Sequence, residues 1–116
     1  MDLEEFFKTP EEAEKAKKLA MVFYDKILIS SKLSNPDALL FCAYMIANHE
    51  KTSSPEIDKV ELLFLQSGRT KTDFSKALYE LTVRQRPIKL KKTDNKLEFT
   101  SAGLERVKKL LEEESI

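Results

Sequence analysis

Two glycines, one cysteine, one histidine and no tryptophan occur in the 116 residues, and each scarcity closes off a class of chemistry. With glycine only at 68 and 103, neither a glycine-rich phosphate cradle nor a dinucleotide-binding turn can be built. The stretch SGRTKT at 67–72 looks like a phosphate loop, but it lacks the earlier glycine and the preceding buried strand that the motif requires. One cysteine excludes a disulfide framework and a zinc or cluster site. Cys42 sits inside the apolar run ALLFCAYMIA and reads as a small buried hydrophobe. His49 lies seven residues on, about two helical turns and roughly 10 Å away, too far for a Cys–His nucleophilic pair. It reads instead as a helix-end residue facing the dipole.

Long apolar segments are missing as well. The run 38–47 is ten residues, half of what a membrane-spanning helix needs. The N-terminal MDLEEFF is acidic where a secretory signal would be basic, so the expectation is a soluble cytoplasmic protein. Acidic pairs such as Glu4–Glu5 and Glu11–Glu12 fall in predicted caps and tails, where solvation accounts for them. Nothing here predicts an enzyme, a metal or a cofactor.

Net charge is also absent: 20 basic residues balance 20 acidic ones. The sum conceals an uneven distribution. Residues 69–96 hold nine Lys/Arg against three Asp/Glu, a net of +6, and the segments 1–20, 21–68 and 97–116 are each at −2. The core of the basic block is RQRPIKLKKTDNKLEFTSAG, Arg84 to Gly103.

What is present is strong local patterning in a chain of single-domain length. Thr9, Pro10 and Glu12 form a capping-box signature for an amphipathic helix over 10–33, with Ala13, Ala16, Leu19, Ala20, Phe23 and Ile27 on one face. Asn35 as cap and Pro36 in the first turn open a second helix, apolar all round at 38–47 and therefore central. Ser54 as cap and Pro55 open a third, which stops at the left-handed Gly68. Thr70 or Thr72 caps a fourth over 70–85, with Phe74, Ala77, Leu78 and Leu81 inward. Outward it presents Lys71, Thr72, Asp73, Ser75, Lys76, Tyr79 and, one turn later, Thr82 and Gln85. After Pro87, period-two alternation places Ile88, Leu90, Leu97 and Phe99 inward and Lys89, Lys91, Lys96 and Glu98 outward across a Thr93–Asp94–Asn95 turn, which reads as a hairpin. Thr100 or Ser101 then caps a last helix over 101–114, striped by Leu104, Val107, Leu110 and Leu111.

From Asn35 onward this order resembles the winged helix-turn-helix family. VELLFLQSGRTKTDFSKALYELTVRQRPIKLKK resembles the family's helix, turn, recognition helix and basic strand. LEFTSAGLERVKKLL is similar to its second wing strand and closing helix. The chain departs from the family at RQRPI, where many members carry a glycine before the wing. The resemblance implies a mainly α fold with a small β-hairpin, as one domain over 1–116: an added N-terminal helix at 10–33, a winged-helix core at 35–100 and a closing C-terminal helix at 101–114. By analogy with regulators of the multiple-antibiotic-resistance type it also implies a homodimer through the N- and C-terminal helices.

The function expected on this basis is duplex DNA binding by a transcriptional regulator. The helix at 70–85 reads the groove and the wing at 86–99 follows the backbone. The contact residues expected are Arg69, Thr70, Lys71, Thr72, Ser75, Lys76, Tyr79, Arg84, Arg86, Lys89, Lys91, Lys92 and Lys96. The alternative is a winged-helix protein-interaction or assembly module without DNA binding, since fold does not decide function and edge strands carry lysines to prevent aggregation.

Overall fold

A computed structural model describes residues 33–114, together with the helical positions Glu11 and Glu14. The expected helix over 10–33 otherwise lies outside the described residues. Within them the chain is mainly helical with one two-stranded antiparallel hairpin, and no described helix is long and apolar enough to cross a membrane.

The central helix, α1 (Asn35–Glu50), begins after Ser34, whose hydroxyl accepts from the Asp37 amide at 3.3 Å. Ser34 therefore replaces Asn35 as the expected cap. The Asn35 side chain is recruited elsewhere: its Oδ1 accepts from Arg69 Nε at 3.1 Å. Every side chain from Ala38 to Tyr44 is buried, so the helix has no outward face along that stretch, as its unbroken apolar run requires. It ends at Lys51, which takes a left-handed conformation with φ 54°.

Helix α2 (Ile57–Gln66) starts later than the Ser54–Pro55 signal predicts, and Glu56 precedes it without a side-chain cap. The reason is a non-local pairing. The Pro55 carbonyl accepts from the Leu97 amide at 2.9 Å, the Ile57 amide donates to the Asn95 carbonyl at 2.8 Å, and Glu56 bridges to Lys96. Pro55 and Glu56 are thus held along the hairpin's second strand, and the helix begins directly after them, at Ile57. It stops at Gly68, φ 90°.

Helix α3 (Lys71–Tyr79) packs on α1 and α2, with Phe64 and Phe74 edge to face at 5.5 Å between ring centres. It continues into a π-helical turn, Glu80–Arg84, closed by the Gln85 amide donating to the Glu80 carbonyl at 2.9 Å. Strands β1 (Leu90–Thr93) and β2 (Lys96–Phe99) pair with Leu90 opposite Phe99 and Thr93 opposite Lys96, leaving a two-residue turn. Asp94 in that turn has φ 54°, the left-handed geometry that short hairpin loops use and Asp tolerates.

Helix α4 (Ser101–Glu114) closes the domain. Thr100 Oγ1 accepts from the Gly103 amide at 3.1 Å and donates to the Ile88 carbonyl at 2.6 Å, so one hydroxyl caps the helix and ties it to the start of the hairpin. Gly103 is required there, because a Cβ at this position would lie 2.1 Å from the Lys89 carbonyl oxygen. Leu104, Val107 and Leu111 join the core formed by α1, Leu90, Leu97 and Phe99. The Arg106 guanidinium grips Asp37 in the first turn of α1 with two bonds, 3.0 and 2.8 Å, a forked ion pair of the stronger kind.

Candidate nucleic-acid interface

The N-terminus of α3 is built by a reciprocal cap. Thr70 Oγ1 accepts from the Asp73 amide at 3.1 Å, and Asp73 Oδ2 accepts from the Thr70 amide at 3.3 Å. The acidic residue of the first turn is thereby directed to the helix end, where the positive end of the dipole favours it. What the face presents is Lys71, Thr72, Ser75, Lys76 and Tyr79, all exposed. Thr72, Ser75 with Lys76, and Tyr79 recur at helical spacing, so one surface carries two ammonium groups and three hydroxyls. Such a surface can pair with phosphate oxygens and donate to base edges.

The next step of this face, in the π-helical turn, differs from the one expected. The sequence pattern predicts Thr82 and Gln85 outward. Thr82 is instead half-buried, with its hydroxyl donating to the Leu78 carbonyl at 2.7 Å, and half-buried Gln85 accepts from the Lys89 ammonium. Helical spacing accounts for this: Gln85 lies four residues after Leu81 and seven after Leu78, on the inward stripe, and Val83 lies opposite Phe74. Val83 comes outward in their place at 46% exposed, beside Tyr79 at 57%. Sequence reasoning missed Val83, and its only local signal is that it falls off the inward stripe of Phe74, Ala77 and Leu81.

The remaining expected contact residues divide into held and free groups. Arg69 is held: it donates to Asn35 at 3.1 Å, to Ser67 Oγ at 3.0 Å and to the Leu33 carbonyl at 3.2 Å, and its guanidinium lies 5.9 Å from the Phe64 ring centre. These bonds tie the turn before α3 to the start of α1, so the guanidinium is occupied within the fold. Arg84 pairs with Glu80 at 2.7 Å on the surface. Arg86 donates to the carbonyls of Val83 and Gln85. Lys89, expected outward, is half-buried.

On the hairpin, Lys91 faces Glu98 and Lys92 faces Leu97 across the strands. Because successive side chains alternate, the two neighbouring lysines project from opposite faces of the ribbon, Lys91 with Lys96 and Lys92 at the rim of the core side. The tip is acidic as well as basic. An open cleft of about 430 Å³ there is lined by Glu56, Asp94, Glu98 and Lys96, with Thr93 and Asn95. Three carboxylates against one lysine make the tip a poor partner for phosphate.

Cys42 is free and buried, and burial pushes its thiol up to about 12, with Arg69 pulling the other way. It is no nucleophile at neutral pH. Among the described residues no group of three or more His, Cys, Asp or Glu is arranged to hold a metal. Comparison with known proteins finds no matching family model, no matching curated protein and no matching solved structure.

Proposed function

We propose that the chain is a duplex DNA-binding module of the winged helix-turn-helix kind, serving a transcriptional regulator. In this reading α3 enters the major groove and the hairpin lies beside the backbone. The observation that carries it is the α3 face: Lys71, Thr72, Ser75 and Lys76 are exposed together while Asp73, the one acid among them, is drawn into the cap. The elements from α1 to α4 follow the order of the family that the sequence resembles. The placement of the hairpin lysines supports a smaller share for the wing than for α3. The homodimer of this reading would rest on residues 10–33, since the apolar stripe of α4 is used inside its own chain.

Fluorescence anisotropy with a labelled duplex tests the proposal. Affinity should fall steeply with salt, and K71E/K76E should weaken binding and lower the salt slope by about one unit per lysine contacting phosphate. Both lysines are exposed, so the melting transition should not move. K91E/K92E should weaken binding less. A chain whose weak binding is indifferent to K71E/K76E does not use α3 on DNA.

The second reading, a protein-interaction module, is favoured by one observation: Tyr79 and Val83 put apolar surface on the same face. Binding that persists at high salt to a protein partner, with no duplex binding at low salt, decides for it.

A further inference from the structure

The stretch from 69 to 86 contains four side chains with the planar group that can form two parallel hydrogen bonds to a base, namely Arg69, Arg84, Gln85 and Arg86. Such forks are the main means of telling guanine and adenine from the other bases in the major groove. All four are engaged inside the chain. Arg69 is held by Asn35, Ser67 and Leu33, Gln85 by Lys89, Arg86 by two main-chain carbonyls and Arg84 by Glu80. What α3 and its π-helical turn offer outward is lysine, a point charge that suits phosphate and can also reach guanine, hydroxyls, which donate to or accept from any base, and the apolar surfaces of Tyr79 and Val83. Of the base edges in the major groove, the thymine C5 methyl is the one that an apolar surface reads.

We infer that this face selects DNA by apolar contact of Tyr79 and Val83 with thymine methyl groups, and not by forked hydrogen bonds to guanine or adenine. The inference rests on the DNA-binding reading above. What makes it available is the exposure of Val83 one turn after Tyr79, while Gln85 is half-buried and accepts from Lys89. Arg84 and Arg86 are the competing readers, since both side chains are exposed and the surface contacts that hold them are weak. Either arginine, once released, would prefer guanine.

The test compares duplexes that differ only in the methyl. The probes are an A·T-rich duplex, the same duplex with every thymine replaced by uracil, a G·C-rich duplex, and that duplex with every cytosine replaced by 5-methylcytosine. Removing the methyl from thymine should weaken binding, by about fourfold for each methyl buried. Adding it to cytosine should strengthen binding. Y79A and V83S should both erase these differences while keeping the salt dependence, and both positions are exposed enough for the variants to fold, which circular dichroism checks. Duplex binding that ignores the methyl in both pairs overturns the inference and leaves the DNA-binding reading standing. So does a preference for unmodified G·C that R84A, R86A or K71E/K76E removes. Absence of binding to all four duplexes overturns both.

Discussion

Helices α1 and α3 lie against each other, yet they meet solvent in opposite ways. Seven consecutive side chains of α1, Ala38 to Tyr44, are no more than 1% exposed, whereas α3 buries only Phe74 and Ala77 of its nine residues and half-buries Leu78. A helix apolar on every side has one possible place, the middle, and its residues serve packing alone. A helix with a narrow inward stripe leaves most of its surface uncommitted. The two together separate what holds this domain from what it can offer a partner, and substitutions on each side should show that separation.

The largest effect belongs to α1. Phe41 is fully buried and among the bulkiest core side chains, and F41A should destabilise by about 3–5 kcal/mol, a large part of the 5–15 kcal/mol that a domain of this kind has. Urea denaturation measures it, and a loss under 1 kcal/mol would mean that α1 is less central than its burial requires.

Next comes the seam between α4 and the hairpin. In an exposed helix, replacing glycine by alanine is favourable by roughly 0.5–1 kcal/mol. At Gly103 the sign should reverse, because the new Cβ would meet the Lys89 carbonyl oxygen at 2.1 Å. That oxygen also accepts from the Thr100 amide at 3.1 Å, so main chain must move on one side or the other. G103A should therefore cost about 1–3 kcal/mol, in the range of overpacked cores, again read by urea denaturation. A stabilised G103A would show that α4 can pull away from the strand without loss.

The same division governs what the sequence discloses. The position of α1, the cap of α3, the alternation of the hairpin from Leu90 to Phe99 and the stripe of α4 are all local patterns, and the structure follows them. The departures come from residues far apart in sequence. Ser34, not Asn35, caps α1, and the Asn35 side chain is bonded to Arg69, 34 positions away. Helix α2 starts late because Pro55 and Glu56 pair with β2. Arg69 counts towards the basic block but is bound within the fold. Glu56 counts towards an acidic segment but lines the hairpin tip beside Lys96. Charge counted along the chain cannot register such encounters. The outward position of Val83 is the exception: it is local, and helical spacing alone sets it opposite Phe74.

The smallest effect lies where the two regions of α3 meet. Thr70 serves the helix through its hydroxyl, which accepts from the Asp73 amide at 3.1 Å, and it is exposed. Water can replace that hydroxyl, so T70A should sit at the low end of cap losses, about 0.5–1 kcal/mol. The reciprocal bond from the Thr70 amide to Asp73 Oδ2 is made by the main chain and survives the substitution. T70S keeps the hydroxyl and should restore stability. If Thr70 also touches phosphate, T70A should weaken duplex binding under conditions where the fold is fully populated, and T70S should restore that too. A binding loss in T70A that T70S leaves unrepaired would assign the methyl group, and not the hydroxyl, to the outward face.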